Sequence, residues 1–178
     1  MHPALAQLFT ELDRYEQQIP LEVLHDGLSR LQISLDDVRR WAQFGRERYQ
    51  RNLVHAGPAY EALLLCWSAA QRSPIHDHRG SACAFRVIEG TGSETQFERT
   101  EDGLVYAIGT KAMPEGTICA TFDADIHQVS NLQAANRPLV TLHIYSPALR
   151  VCNIYSLVDS GSQEWYDPVV EFVEGAGI

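Results

Sequence analysis

The chain has 178 residues, 45% hydrophobic and 21% charged, enough to bury a proper core and ordinary in balance for a globular protein. With 14 basic residues against 23 acidic ones its net charge is −9, which argues against nucleic acid or an anionic membrane surface as a partner. No apolar run approaches the length of a membrane span. The segment Met1–Leu8 lacks the basic and apolar regions of a secretory leader, and the four cysteines Cys66, Cys83, Cys119 and Cys152 show no CxxC spacing. The expectation is a cytoplasmic protein without structural disulfides.

The first elements read as helices. Leu5, Leu8, Phe9 and Leu12 recur at helical spacing, as do Leu21, Leu24, Leu28 and Leu31. Ser34-Leu-Asp-Asp is an N-cap signal ahead of Val38, Trp41 and Phe44. After about Arg48 the texture changes to short β-branched and aromatic runs separated by Gly, Pro and Asn. These are Tyr60–Trp67, Cys83–Glu89, Ser93–Phe97, Leu104–Ile108, Thr117–Phe122, Leu139–Tyr145 and Val151–Leu157. Strands at this spacing predict a sandwich or barrel. The chain reads as one mainly β domain over 1–178, with a helical part over 1–47 packed beside a small jelly-roll β-barrel over 48–178.

Three pairs of residues lie two apart along the chain. On an extended strand such residues share a face, so His76 and His78 can converge on one metal ion while Asp77 points away. Two unrelated histidines are the plainer alternative. Tyr49 and Arg51 can line one pocket, with Gln50 facing away; here the alternative is a solvated basic stretch with Arg46 and Arg48, and a one-residue slip would exchange Arg51 for Gln50. His143 and Tyr145 also share a face, and on periodicity alone His143 is a further candidate ligand. Trp67 reads as a core aromatic, Cys66, Cys119 and Cys152 as structural, and His2, His25 and His55 as lying outside the site.

From His78 there are four residues to Cys83 and six more to Gly90, and Pro114-x-Gly116 precedes His127-x-x-x-Asn131. This resembles the two cupin motifs, with cysteine in the slot usually held by glutamate. It departs from them at Ala70, where the first motif opens with glycine, and in the ten residues between Gly116 and His127, which imply a longer second strand pair. Tyr49-Gln-Arg-Asn-Leu-Val, Leu65-Cys-Trp, Ile75-His-Asp-His, Cys83, His127-x-x-x-Asn131 and Leu142-His-Ile-Tyr-Ser-Pro147 occur in this order. Together they resemble the cysteine dioxygenases, thiol dioxygenases of the cupin superfamily, from roughly Tyr49 to Cys152.

That resemblance implies a cupin-type barrel in which His76, His78 and His127 hold one Fe(II). Three neutral imidazoles leave the site at the metal's own +2 charge, and a thiolate substrate supplies the missing negative charge. The resemblance casts Arg51 as partner of the substrate carboxylate, a strong and directional pairing, with the Tyr49 hydroxyl beside it. Tyr145 lies by the substrate, oriented by His143, with Thr141 behind. Cys83 matches the position that forms a thioether with the tyrosine ring, although an inert buried thiol is the plain alternative. The Ser146–Pro147 bond is expected to be cis, as in relatives. The activity implied is oxidation of L-cysteine by O2 to cysteine sulfinic acid, with no organic cofactor. Relatives acting on 3-mercaptopropionate often carry glutamine at the arginine position, so that thiol is the nearest rival substrate. A non-catalytic metal-binding cupin, acting as a sensor or binding module, is the rival of another class.

Overall fold

In the computed structural model, residues 1–122, 125–166 and 168–171 are described. Helix α1, Pro3–Leu12, buries Leu5, Leu8, Phe9 and Leu12 on one stripe, and His2 caps it by accepting from the Ala4 N–H at 3.3 Å. Helix α2, Leu21–Arg30, buries Leu24 and Leu28. Each such apolar side chain contributes about 2 kcal/mol by leaving water. The two helices cross closely at Gly27, where a Cβ would meet Leu8 Cδ1 at 2.7 Å. Asp37 accepts from the Ser34 N–H at 2.8 Å in a capping box, but helix α3, Leu35–Val38, is short and passes into a 3₁₀ turn over Arg39–Trp41. Phe44, counted in that periodicity, lies beyond the turn and is 41% exposed.

Eleven strands follow among the described residues. They are β1 (Gln50–Gly57), β2 (Tyr60–Trp67), β3 (Ile75–His76), β4 (Ala82–Glu89), β5 (Thr91–Arg99), β6 (Val105–Pro114), β7 (Ile118–Phe122), β8 (Ile126–Ser130), β9 (Leu139–Ser146), β10 (Val151–Tyr155) and β11 (Ser162–Tyr166). They form two antiparallel sheets, ordered β1-β2-β9-β4-β7 and β11-β10-β3-β8-β5-β6. The segment read as Leu104–Ile108 is the start of the longer β6, while β1, β3, β8 and β11 match none of those runs, although the pairs Tyr49/Arg51 and His76/His78 mark extended backbone at β1 and β3.

Strands β2 and β9 are buried along their whole length, which requires cover on both faces. The strict alternation of side chains supplies it. Ala62, Leu64, Val140, Leu142 and Ile144 pack outward beneath the helices, while Leu63, Leu65, Leu139 and Tyr145 point inward. The inward face therefore holds the site.

The turn at Ala70, one of the departures from the motif pattern, keeps the backbone that a glycine would take. Ala70 sits at φ +68, the left-handed region that glycine occupies without strain and a Cβ resists. Its N–H donates to the Asn131 carbonyl at 2.9 Å. The wholly buried Asn131 donates through Nδ2 to Trp67 O at 3.0 Å and Arg137 O at 2.9 Å, so it clamps this turn to the β8–β9 connection. Gly90, at φ +82, has the Pro138 carbonyl 2.3 Å from where a Cβ would stand. The Ser146–Pro147 bond is cis.

Candidate metal centre

Strands β3 and β8 meet with His76 directly opposite His127, and His78 follows two residues after His76. One nitrogen from each of the three rings lies within 4.8 Å of the other two. Asp77 turns away, accepting from the Asn153 N–H at 3.0 Å and the Tyr155 hydroxyl at 2.8 Å.

The tautomers favour a cation. His76 Nδ1 lies 3.0 Å from the Pro74 carbonyl, which can only accept, so Nδ1 carries the proton and the Nε2 lone pair is left for a metal. His127 Nδ1 lies 2.8 Å from the Glu94 carboxylate, with the same consequence. His78 Nδ1 is buried with no hydrogen-bond partner, which fits a ring kept as a ligand rather than as a structural donor. Burial, then the neighbouring His127, lowers His76 to about 3 and His78 well below its ordinary value, so both rings are neutral, as ligands must be. The donor set fits a nitrogen-preferring transition metal.

Glu94 was not legible as a site residue. It comes from β5 and is almost wholly buried. Burial pushes its carboxyl up, but hydrogen bonds from His127 and from Lys111, at 2.6 Å, overcome this and hold it at about 2. A carboxylate behind a metal-binding histidine fixes the ring's orientation and raises its basicity.

A cavity opens beside the histidines, lined by Tyr49, Arg51, Trp67, His76, His127, His143, Tyr145 and Arg150 among others. Arg51 is buried, lies with its guanidinium carbon 5.5 Å from the Tyr145 ring centroid, and donates to Leu149 O at 2.9 Å. Gln50 instead donates to Gln43 and Asn52. Tyr49 stacks on Trp67 with centroids 4.1 Å apart. Trp67 is a core residue with a polar use as well, because its Nε1–H donates to Thr141 Oγ1 at 3.1 Å. From Thr141 the chain continues to His143 Nε2 at 2.9 Å, and from His143 Nδ1 to the Tyr145 hydroxyl at 3.1 Å. His143 stacks on Phe85 at 4.5 Å. Burial, then Arg51, lowers it well below its ordinary value. It lies outside the group of three rings whose nitrogens converge. Cys83 stands directly opposite Tyr145 in the β4–β9 register, and burial pushes its thiol far up.

The remaining residues lie mostly elsewhere. No disulfide joins any of the four cysteines; Cys66 is buried in the core with its thiol pushed up to about 12, while Cys152 borders the cavity. His25 is at the surface beside Asp26, and His55 stacks on Phe9 and lies 3.0 Å from Asp13, joining helix to barrel.

Two antiparallel sheets closing around three inward histidines define a metal-binding cupin of the double-stranded β-helix type. A double-stranded β-helix protein from Klebsiella pneumoniae superimposes with a TM-score of 0.52 at 14% identity, over 71% of this chain and 97% of that one. TT1209 from Thermus thermophilus does so at 0.50 and 20%, over 65% and 99%. More specifically, the chain belongs to the cysteine dioxygenase type I family, whose profile matches residues 15–158. It is 30% identical to the cysteine dioxygenase type 1 of Danio rerio over 142 residues, 77% of this chain and 70% of that protein. It is 32% identical to that of Homo sapiens over 121 residues, 65% and 59% respectively, so the aligned part is under two thirds of the human protein. Family membership implies a thiol dioxygenase, with a small thiol and O2 as its substrates. No helix among the described residues is long and apolar enough to cross a membrane.

Proposed function

We propose that this protein is an iron(II) cysteine dioxygenase that converts L-cysteine and O2 to cysteine sulfinic acid. The observation that carries the reading is that His76 and His127 of the three-imidazole cluster and the Arg51 guanidinium line one cavity. His76, His78 and His127 would hold the iron. Bound iron(II) would acidify the substrate thiol and bring O2 into reaction with it.

The rest is work for the chain's own side chains. Arg51 pairs with the substrate carboxylate, and the Tyr49 hydroxyl borders the same group. That the guanidinium, and not the Gln50 amide, borders the cavity supports cysteine over 3-mercaptopropionate. Leu65, Val129, Leu149 and Val151 wall the cavity and keep water from the reacting sulfur. The Thr141 hydroxyl directs its hydrogen to His143 Nε2, so Nδ1 carries the ring proton and donates to the Tyr145 oxygen. The phenol hydrogen is then left to point at the substrate. Cys83 joins the Tyr145 ring through a thioether; forming that C–S bond releases two protons and two electrons, which O2 accepts.

The test is anaerobic iron loading followed by product identification with cysteine and 3-mercaptopropionate in parallel. Sulfinate from cysteine at the higher kcat/KM is the expected result. Preference for the amine-free acid overturns the substrate assignment, and zinc or nickel retention without thiol-dependent O2 uptake overturns the enzyme reading. The thioether shows as two closely spaced bands on a denaturing gel that collapse to one in Cys83→Ala.

A further inference from the structure

Glu61 has 0% exposure, yet it carries a carboxylate into the barrel interior on the same face of β2 as Leu63 and Leu65. It stands between two cations. Arg150 NH2 lies 2.9 Å from one carboxylate oxygen and Arg51 NH2 lies 3.7 Å from the other. Arg150 is 53% exposed and lines the cavity together with Arg51. The connection that carries Arg150 is also tied to Arg51, which donates to Leu149 O at 2.9 Å. Burial raises the Glu61 carboxyl above its ordinary value, and the pull of Arg150 first and Arg51 second offsets this only in part.

The charge count gives this cluster a consequence. A buried carboxylate next to Arg51 alone would form a closed ion pair with no net charge, and a substrate carboxylate would find nothing to neutralise. Arg150 makes the closer contact, and with Glu61 ionised between the two guanidiniums the trio carries one net positive charge. That charge matches a thiol bearing a single carboxylate.

We propose that Glu61 and Arg150 are specificity-determining positioning residues: Glu61 aims the Arg51 guanidinium, and Arg150 offsets Glu61 so that Arg51 keeps its attraction for the substrate carboxylate. This rests on the reading of Arg51 as the carboxylate partner. Neither residue needs to touch the reacting sulfur, so the effect falls on KM rather than kcat.

The experiment uses the iron-loaded enzyme at saturating O2, with cysteine and with 2-aminoethanethiol, which has no carboxylate. Arg150→Gln raises KM for cysteine about tenfold, as expected for one uncompensated charge near a partly buried site. It leaves kcat for cysteine unchanged and does not raise the KM for 2-aminoethanethiol. Adding Glu61→Gln removes the charge that Arg150 offset and brings KM for cysteine back towards wild type. Arg150→Lys, which keeps the charge, stays close to wild type throughout. Rescue of one substitution by the other is the signature, since a brace that merely holds the fold would give damage that adds or worsens. An unchanged KM in Arg150→Gln, or a double variant as poor as the single one, overturns the proposal. Failure of the underlying reading looks different: Arg51→Ala itself leaves KM for cysteine unchanged, and the inference falls with it.

Discussion

In the five-stranded sheet, β2 and β9 pair continuously from Glu61 opposite Tyr145 to Trp67 opposite Leu139, buried from end to end. In the six-stranded sheet, β3 is two residues long and pairs with β8 at His76 opposite His127. The first sheet carries Arg51, Cys83, His143 and Tyr145, and the second carries His76 and His127. The side chains proposed to surround the substrate thus stand on strands that are packed on both faces. His76 stands on a strand with little ladder of its own, although β8, which carries His127, pairs with β5 along its whole length, so bound metal is part of what would hold the β3 side. The difference teaches that one barrel can keep a preformed substrate wall and a metal-dependent wall side by side, because the apolar burial is concentrated on one of them.

The largest effect that would break this division is at the metal-dependent wall. His127→Ala loses both bound iron and turnover, by metal analysis and O2 uptake, while the β2–β9 core stays folded; full iron content and activity would end the ligand assignment. On the other wall, Arg51→Ala raises KM for cysteine roughly 100-fold, as loss of a charge-assisted contact of about 2–3 kcal/mol requires, with iron content unchanged. Between the two, Glu94→Gln weakens metal affinity about 10–100-fold, as removal of a carboxylate behind a ligand does, and a competitive chelator titration reads it directly.

Acid sharpens the contrast further. His76 is held at about 3, and His78 and His143 well below 6.5, while unfolded rings protonate near 6.5. The unfolded chain therefore binds more protons in this window, and the metal-free fold loses stability as pH falls from 6.5 towards 3. Each such ring costs about 1.4 kcal/mol per pH unit across its window. Glu94, held at about 2 against 4.5 unfolded, adds in the same direction below 4.5. Thermal melts of the metal-free protein across this range measure it, and a flat profile would contradict it. The smallest effect is local: removing metal lowers hydrogen-exchange protection in β3 and leaves β2 and β9 as they were.

The period-two pairs were legible because strand geometry is local. His76 and His78, Tyr49 and Arg51, and His143 and Tyr145 needed only an extended backbone to share a face. The first two helices were legible for the same reason, their apolar stripes being written every three or four residues. Glu94 gave no such signal. It is one polar residue among several on β5, and its partner His127 is 33 positions away. Glu61 interrupts an apolar run, where a buried acid is unexpected until both arginines are in place. Strand β8 was missed because Ile126–Ser130 is short and becomes a strand by pairing with β3 and β5.

The amino-acid order by itself determined which side chains could face one another across one or two residues: the histidine pair, the apolar stripes, and the inward parity of the substrate wall. Tertiary structure decided which carboxylates stand behind these groups, putting Glu94 against His127 and Glu61 between Arg51 and Arg150. The physical reason is range. Backbone periodicity is set by bond geometry within a few residues, whereas the charge of a buried group is tolerated only where distant strands bring a partner to it.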